Sequence, residues 1–197
     1  MRRWTESLRL GDHVLHPYRD AVEQERAVMD VFNWTPEGAK MYYFSSRPGL
    51  GSVLSVGSEL GDRLGAARRE GRLVMLDAES YYRPEGAFRH LPLLEAVERA
   101  TEEARSEGFS SMVAVGDVRW LGMRAEHFSE FVRYEAMVTF LDLPLPAAFV
   151  CQYDRSLFSP QQIEQMRVFH DQVLIDRVLE RSCWIIPRHR PMQRQPQ

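Results

Sequence analysis

The stretch "GDHVLHPYRDAVEQE", residues 11–25, decides the fold class. It predicts a short apolar strand, His13 to Tyr18, that leads directly into a helix whose first turn Asp20 can cap. The turn between them contains no glycine and no lysine. A phosphate-binding loop needs glycines, so that successive N–H groups can face the anion, and a lysine to reach the outer phosphates. The stretch therefore predicts an α/β architecture without a functional phosphate loop.

The rest of the chain repeats this alternation of strand and helix. The segment after the third predicted strand, "ESYYRPEGAF", is predicted to be a loop. Further strands are predicted at 40–46, 72–78, 111–117 and 147–154, with one or two more within 173–186, and helices at 50–69, 91–109, 128–141 and 160–170. Short apolar strands that alternate with helices indicate a three-layer, mostly parallel sheet with helices on both faces.

Composition limits the size and the partners of the protein. A chain of 197 residues with 44% hydrophobic content can form a single domain. We expect this domain at residues 11–186, after an N-terminal extension of residues 1–10 and before a disordered basic tail of residues 187–197. A net charge of -3 makes nucleic acid an unlikely partner, because no global positive field is present.

Cysteine usage and hydropathy predict a cytoplasmic protein. Cys151 and Cys183 are far apart and show no zinc-type spacing, so both are interpreted as buried thiols. The chain starts without a signal-peptide pattern, and no apolar segment reaches the roughly 20 residues of a membrane helix. We therefore expect no contact with a membrane.

Ligands of open parallel sheets bind at the carboxyl ends of the strands, so candidate site residues are sought there. Asp117 has three interpretations: a magnesium-binding acid as in nucleotide hydrolases, a cap of the next segment or partner of Arg119, or one wall of a pocket with Arg119 and Trp120. Ser45 and Arg47 suggest either an anion site or a solvated turn.

The histidines of the first strand do not form a metal pair, because residues three apart on a strand point to opposite faces. His13 is interpreted either as a buried, hydrogen-bonded histidine or as a ligand contact. His16 and Tyr18 share the side that could face a ligand. The predicted ligand-binding set is His13, His16, Tyr18, Arg19, Ser45, Arg47, Asp117, Arg119, Trp120, Gln152 and Tyr153. No catalytic residue, metal or cofactor is predicted.

Five segments in order resemble the MEDS family, the methanogen/methylotroph, DcmR sensory domain. These are "GDHVLHPY", "DAESYYRPEGAF", "VAVGDVRW", "YEAMVTFL" and "CQYDRSLFSP", and the resemblance covers residues 11–186. It implies a RecA/KaiC-like sheet whose nucleotide loop has decayed. It further implies a sensory module of bacterial or archaeal signalling, associated with histidine kinases, DNA-binding domains or anti-sigma-type regulators, that senses small hydrocarbon derivatives. By position, Tyr134, Glu135 and Asp154 also fall in the motifs of the family.

Two positions depart from the family pattern. Leu15 stands where the family often has a cysteine, which removes a thiol that could serve metal or redox sensing. Asp117 stands where the family usually has glutamate, and the carboxylate is therefore shorter by one methylene group.

We expect a non-catalytic sensory domain that binds a small organic ligand and signals through a separate protein: a histidine kinase, an anti-sigma factor or a transcription regulator. One alternative is a ligand-free interaction module that uses Leu54, Leu60 and Leu64 as an exposed contact face. The other is a RecA-like protein that binds nucleotide without hydrolysis. Self-association through sheet edges is a further expectation.

Overall fold

The computed structural model describes residues 4–46, 59–84 and 86–182. Its centre is a sheet of seven strands in the order β3-β2-β4-β5-β1-β6-β7. All neighbouring strands are parallel except β6 and β7, which form an antiparallel pair at one edge. The strands are β1 His13–Tyr18, β2 Ala39–Ser45, β3 Leu73–Asp77, β4 Ser111–Asp117, β5 Ala147–Asp154, β6 Gln172–Ile175 and β7 Val178–Arg181.

Helices cover both faces of this sheet, which confirms the three-layer α/β prediction. They are α1 Ala21–Trp34, α2 Glu59–Arg69, α3 Ala78–Tyr82, α4 His90–Ser106, α5 Arg119–Gly122, α6 Phe128–Val138 and α7 Pro160–Arg167. Helices α1 and α2 pack on one face, called the α1 side below. Helices α3 to α7 pack on the other face, called the α6 side.

Alternation along each strand assigns its side chains to the two faces. In β1, Val14 is buried on the α1 side and Leu15 on the α6 side. In β2, Tyr43 is buried on the α1 side and Tyr42 on the α6 side. Strands buried on both faces have continuous apolar runs, and this explains why the period-2 signal is weak in the sequence. A residue's place in its strand therefore decides which of two separate cores it joins.

The strand predictions were accurate, whereas some helix predictions were not. Strands β1, β4 and β5 have the predicted bounds. The loop predicted after β3 is wrong at its start, because the carboxylate of Asp77 accepts the N–H of Ser80 and begins the five-residue helix α3. Helix α6 ends at Val138 and α7 at Arg167, three residues before their predicted ends in each case.

Several other predictions concern segments at the margins of the described residues. Trp4 and Leu8, within the predicted extension, are buried on the α1 side, where the indole of Trp4 donates to Asp30 at 2.9 Å. The predicted tail 187–197 lies outside the described residues.

The exposed face predicted for the interaction module is wrong at Leu64, which is 4% exposed on the α1 side. Leu54 and the side chain of Leu60 lie outside the description.

No helix within the described residues 4–46, 59–84 and 86–182 is both long enough and apolar enough to cross a bilayer.

Candidate functional site

Asp117, the last residue of β4, forms hydrogen bonds with residues at the carboxyl ends of β1 and β2 and with the residue that begins α5. Its carboxylate accepts the hydroxyl of Tyr18 at 3.4 Å, the N–H of Ser46 at 3.2 Å and the N–H of Arg119 at 3.0 Å. The guanidinium of Arg119 does not pair with Asp117 but contacts Asp154 at 3.2 Å. Neighbouring donors thus satisfy this fully buried carboxylate, while the helix α5 that follows has Val118 as its N-cap and no side-chain cap hydrogen bond.

His16 and Gln152 lie under helix α1, on the α1 side. The amide of Gln152 donates to Nδ1 of His16 and to the carbonyl oxygen of Gln24, both at 3.2 Å, and its oxygen accepts from the Gln24 side chain at 3.5 Å. Burial lowers the pKa of His16 to about 4, although Glu23 opposes this shift. His16 is therefore neutral at pH 7 and serves as an acceptor in a buried polar network, called the α1-side network below.

Arg19 lies at the rim of a surface groove between α1 and the β6–β7 pair. The groove has a volume of about 260 Å³. Arg19 pairs with Glu23 at 3.0 Å and with Asp176 at 2.8 Å, while Arg177 pairs with Asp30 at 3.3 Å. Opposite charges on its wall therefore neutralise each other. Of the two predicted residues after β2, Ser45 is buried and Arg47 lies outside the described residues.

A cavity of about 30 Å³ lies on the α6 side, between the sheet and helices α3, α4 and α6. Burial raises the pKa of Tyr82 and Tyr134 well above the ordinary value, so both phenols are neutral at pH 7. A cavity of this volume has room for about two water-sized molecules. Its lining includes Tyr42, Phe44, Tyr81, Tyr82, Met112, Ala114, Tyr134, Phe149 and Cys151. We call it the aromatic cavity.

Trp120 belongs to the aromatic cluster beside this cavity. Its ring stacks on Tyr82 with centroids 5.4 Å apart, and Phe88 and Phe131 lie within 5.9 Å. The indole is fully buried, and its N–H meets no hydrogen-bond acceptor among the described residues. Trp120 thus contributes an apolar surface and one unused donor to the α6 side.

Four polar residues, three of them buried and Cys151 partly buried, converge next to the aromatic cavity. They come from β1, α6, β5 and the turn after α7, and one donor atom from each lies within 4.8 Å of the others: His13, Glu135, Cys151 and His170. Nε2 of His13 is 3.1 Å from Oε2 of Glu135 and 3.4 Å from Sγ of Cys151. Nε2 of His170 is 3.7 Å from the same carboxylate oxygen. We call these four residues the His–Cys–Glu cluster.

Neighbouring groups orient the side chains of the cluster. Nδ1 of His13 faces the carbonyl oxygen of Phe169 at 3.1 Å, and Nδ1 of His170 faces that of Met166 at 2.7 Å. The hydroxyl of Tyr153 donates to Oε1 of Glu135 at 2.9 Å. The second oxygen of that carboxylate, Oε2, therefore faces the two histidines. Two imidazoles, a thiol and a carboxylate together form a donor set that metal ions use in proteins.

Burial governs the ionisation of the cluster. Glu135 is completely buried, and this burial raises the pKa of its carboxyl, although His170 and Tyr153 act in the opposite direction. Burial also raises the pKa of the Cys151 thiol well above its ordinary value, and the neighbouring Glu135 adds to the shift. The protein around the cluster thus disfavours negative charge where no cation is present.

The structure does not bring the predicted ligand-binding residues into one pocket. Tyr18, Asp117 and Arg119 meet at the carboxyl edge, His16 and Gln152 lie in the α1-side network, and His13, Trp120 and Tyr153 lie on the α6 side. Sequence reasoning included His13 and Tyr153 but did not assign Cys151, Glu135 or His170 to a site. The available signal was that His13 and Cys151 lie on the same face of their strands. Their proximity, however, follows only when β1 and β5 are known to be neighbours in the sheet.

The departure at Leu15 affects this same region. Leu15 is fully buried on the α6 side, and its partner across the β1–β5 ladder is Cys151. A cysteine at position 15 would therefore lie beside the His–Cys–Glu cluster. In this chain an apolar side chain fills that place.

Comparisons with known proteins agree with the fold and identify the family. No curated protein matches the chain. A KaiC-like protein from the archaeon Pyrococcus horikoshii OT3 is 12% identical with a TM-score of 0.55, over 83% of this chain and 71% of that one. An uncharacterized protein of Pyrococcus horikoshii, in complex with an unknown peptide, is 13% identical with a TM-score of 0.51, over 87% and 82%. At these identities the likeness shows the fold alone, a KaiC-like sheet of the RecA class.

The family match covers most of the described chain. Residues 12–171 match the family described as MEDS, the methanogen/methylotroph, DcmR sensory domain. The matched range contains the aromatic cavity and all four residues of the His–Cys–Glu cluster. The chain therefore belongs to the MEDS family of sensory domains.

Proposed function

We propose that this sensory domain is non-catalytic, binds a small organic molecule in the aromatic cavity, and passes the resulting change to a separate signalling protein. The observation that carries the proposal is the cavity itself. It lies between the sheet and three helices, and aromatic rings form much of its wall. Small-molecule sites in proteins are concave, mostly apolar and lined by a few polar groups.

The size of the cavity defines the class of ligand. At about 30 Å³ it is far smaller than the cavity of about 150 Å³ that holds benzene in an engineered protein. It suits a molecule of about one to three non-hydrogen atoms. The hydroxyl groups of Tyr82 and Tyr134 offer hydrogen bonds from neutral phenols. A one- or two-carbon alcohol or thiol combines this size with this mixture of apolar and polar contacts.

The carboxyl edge of the sheet supports the proposal less well. The groove beside Arg19 is larger, but five of its charged side chains already form ion pairs: Arg19, Glu23, Asp30, Asp176 and Arg177. Asp117 accepts three hydrogen bonds from its own chain, and the turn after β1 has no glycine with which to wrap a phosphate. These features favour a domain without nucleotide hydrolysis. The ligand contacts predicted at that edge stay predictions.

The helices around the cavity offer a route for the signal. Tyr81 and Tyr82 lie on α3, a helix of only five residues, and Phe44 packs against Tyr81 with centroids 4.5 Å apart. A molecule that enters the cavity has to displace these rings or order them. We propose that the change in α3 and α4 reaches the partner, a histidine kinase, an anti-sigma factor or a transcription regulator in the cytoplasm.

The test uses small probes and a substitution that fills the cavity. Xenon, methanol, ethanol and methanethiol are added separately to the wild-type chain, and binding is followed by NMR and by thermal unfolding. At least one probe should bind the wild type, and Ala114→Leu should abolish that binding because Ala114 lines the cavity. Ala66→Leu, on helix α2 of the opposite face, is the matched control and should bind as the wild type does.

Three results would overturn the proposal. If no probe binds the wild type, or if Ala114→Leu binds the probes equally well, the aromatic cavity is not the ligand site. If the purified chain turns over ATP steadily and Asp117→Ala abolishes that turnover, the domain is an enzyme. Titration with nucleotide and magnesium distinguishes a third case, nucleotide binding without hydrolysis.

A further inference from the structure

We propose that His13, Glu135, Cys151 and His170 bind one divalent transition-metal ion of the zinc type. The proposal goes beyond small-molecule sensing and does not depend on it. It rests on the geometry of the four side chains, on the groups that orient them and on their burial.

Three of the six separations within the cluster are close to those of a tetrahedral site, and the atoms all lie within 4.8 Å of one another. Zinc bonds to nitrogen, oxygen and sulfur of about 2.0–2.3 Å place neighbouring ligand atoms about 3.3–3.8 Å apart. The observed separations are 3.1 Å between His13 and Glu135, 3.4 Å between His13 and Cys151, and 3.7 Å between His170 and Glu135. The rings of His13 and His170 have centroids 3.9 Å apart, so they would have to move about 1 Å apart for both Nε2 atoms to bind one tetrahedral ion.

The hydrogen bonds that Nδ1 of each histidine makes to a backbone carbonyl leave the Nε2 lone pairs facing the centre of the cluster. A carbonyl oxygen only accepts, so Nδ1 of His170, 2.7 Å from Met166 O, carries a proton. The same holds for Nδ1 of His13 opposite Phe169 O at 3.1 Å. In the neutral rings, Nε2 then holds a lone pair and faces Oε2 of Glu135. Acceptors that face one another in a buried site repel, and a cation between them removes that repulsion.

The surroundings have the outer shell that metal ligands usually have. Metal-binding histidines donate their other N–H to a carbonyl or carboxylate, as both histidines do here. The carboxylate of Glu135 is held in turn by the hydroxyl of Tyr153 at 2.9 Å, which leaves Oε2 as the metal-facing oxygen. Oε2 accepts no hydrogen bond of ordinary geometry from the described residues, and the Cys151 thiol is the nearby donor that acts on this carboxylate. The unused capacity of Oε2 lies at the centre of the cluster.

The donor set and its burial select the kind of ion. A thiolate and two imidazoles favour zinc and its neighbours in the transition series over magnesium or calcium, which prefer oxygen. His13, Glu135 and His170 are each at most 1% exposed. With four protein ligands the site is closed, which is typical of a structural ion rather than a catalytic one. Cys151 also lines the aromatic cavity, so the ion would stand behind one of its walls.

Cobalt substitution tests the proposal directly. The full chain is stripped with a chelator, and Zn²⁺ or Co²⁺ is then added while binding is followed by calorimetry and absorption. We expect one ion per chain, ligand-field bands of tetrahedral cobalt, and a thiolate-to-cobalt charge-transfer band. Cys151→Ser should abolish the charge-transfer band, whereas Cys183→Ser, which replaces the other cysteine of the sequence, should leave it intact.

A second pair of variants separates loss of a ligand from loss of folding. His170→Asn should weaken zinc binding by more than the roughly 10–100-fold that loss of an outer-shell partner causes. His16→Asn replaces a histidine that is equally buried on the opposite face and should bind zinc as the wild type does. Circular dichroism of each variant reports whether it is folded.

The proposal is overturned if the folded wild type binds no ion above background, because the cluster would then be a buried histidine–carboxylate pair that shares protons. It is equally overturned if the charge-transfer band survives in Cys151→Ser and disappears in Cys183→Ser. In that case a cobalt ion binds elsewhere in the chain.

Discussion

The two faces of the sheet carry different kinds of buried polar group. On the α1 side, the amide of Gln152 donates to Nδ1 of His16 and to the carbonyl oxygen of Gln24. On the α6 side, Nε2 of His13 and of His170 both face Oε2 of Glu135. The first group is held by hydrogen bonds between its own members, whereas the second directs nitrogen and oxygen atoms at one point, where a shared proton or a cation can bind.

This difference separates buried polar groups that pair with one another from groups whose acceptor atoms converge. Buried polar groups that are fully paired specify how elements pack, and they are common in native cores. Groups whose acceptors converge require a proton, an ion or a ligand. The aromatic cavity adjoins the second group through Cys151, whereas the groove that His16 lines on the α1 side has ion-paired walls, and the function proposed above therefore lies on the α6 side.

The largest expected effect concerns zinc and stability. At a zinc concentration about 1,000 times the dissociation constant, binding to the folded state alone raises the free energy of unfolding by about 4 kcal/mol. For a chain of this length that corresponds to about 8–16 °C in the midpoint of thermal unfolding. Glu135→Gln should lose most of this shift and His16→Asn should keep it. An equal shift in both variants would place the ion outside the cluster.

The second effect is a pH dependence that belongs to the α1 side. The pKa of His16 is about 4 in the folded chain and near 6.5 when unfolded, so between these values the unfolded state binds the extra proton. Above pH 6.5 this effect is absent. Below pH 6.5 it lowers the free energy of unfolding by about 1.4 kcal/mol per pH unit, and the total loss reaches about 3 kcal/mol at pH 4.

Comparison with His16→Asn isolates that contribution. Urea unfolding of both proteins from pH 7 to pH 5 should show the wild type losing stability more steeply, since asparagine does not titrate. The other groups around His16 are Gln24 and Gln152, which are neutral, and Glu23, whose charge acts against the shift. Parallel stability curves would mean that His16 titrates normally and that the α1-side network is not closed to protons.

A smaller effect sharpens the account of the α6 side. Tyr153→Phe removes the hydroxyl that holds Oε1 of Glu135, and we expect zinc affinity to fall by about 10–100-fold. Tyr18→Phe also removes one buried hydroxyl, at the carboxyl edge, and should leave zinc affinity unchanged. Calorimetric titration of both variants checks this. Equal losses would indicate a general loosening of the sheet.

The smallest effect compares one glycine from each face. A Cβ at Gly116 would lie 2.8 Å from the hydroxyl of Tyr82, so Gly116→Ala should lower the free energy of unfolding by about 1–3 kcal/mol. In helix α2, a Cβ at Gly65 meets only the flexible end of Arg69 at 3.4 Å. Gly65→Ala should raise stability by up to about 1 kcal/mol. Chemical denaturation distinguishes the signs, and two equal signs would contradict the tight packing assigned around Tyr82.

Sequence reasoning succeeded where the information is local. The apolar runs of β1, β4 and β5, and the cap at Asp20, depend on residues a few positions apart. It also placed His13 and His16 on opposite faces, because alternation along a strand is a local rule. The short helix α3 was missed since its only signal is one capping carboxylate, Asp77.

The candidate site could not be assembled from the sequence in the same way. His13 and Cys151 become neighbours only because β5 inserts beside β1, and Glu135 and His170 join them from a helix and a turn. The rule that ligands bind at carboxyl ends directed attention to Asp117 instead. That residue is occupied by hydrogen bonds from its own chain.

Native mass spectrometry tests most directly the claim that the α6 side carries the function. The chain is purified without chelator from its own host, and its intact mass is measured before and after denaturation, beside that of Ala114→Leu. The account predicts that the wild type carries one divalent ion and one small organic molecule, and that the variant keeps the ion but loses the molecule. A bound nucleotide, or a wild-type chain that carries neither ion nor molecule, would contradict it.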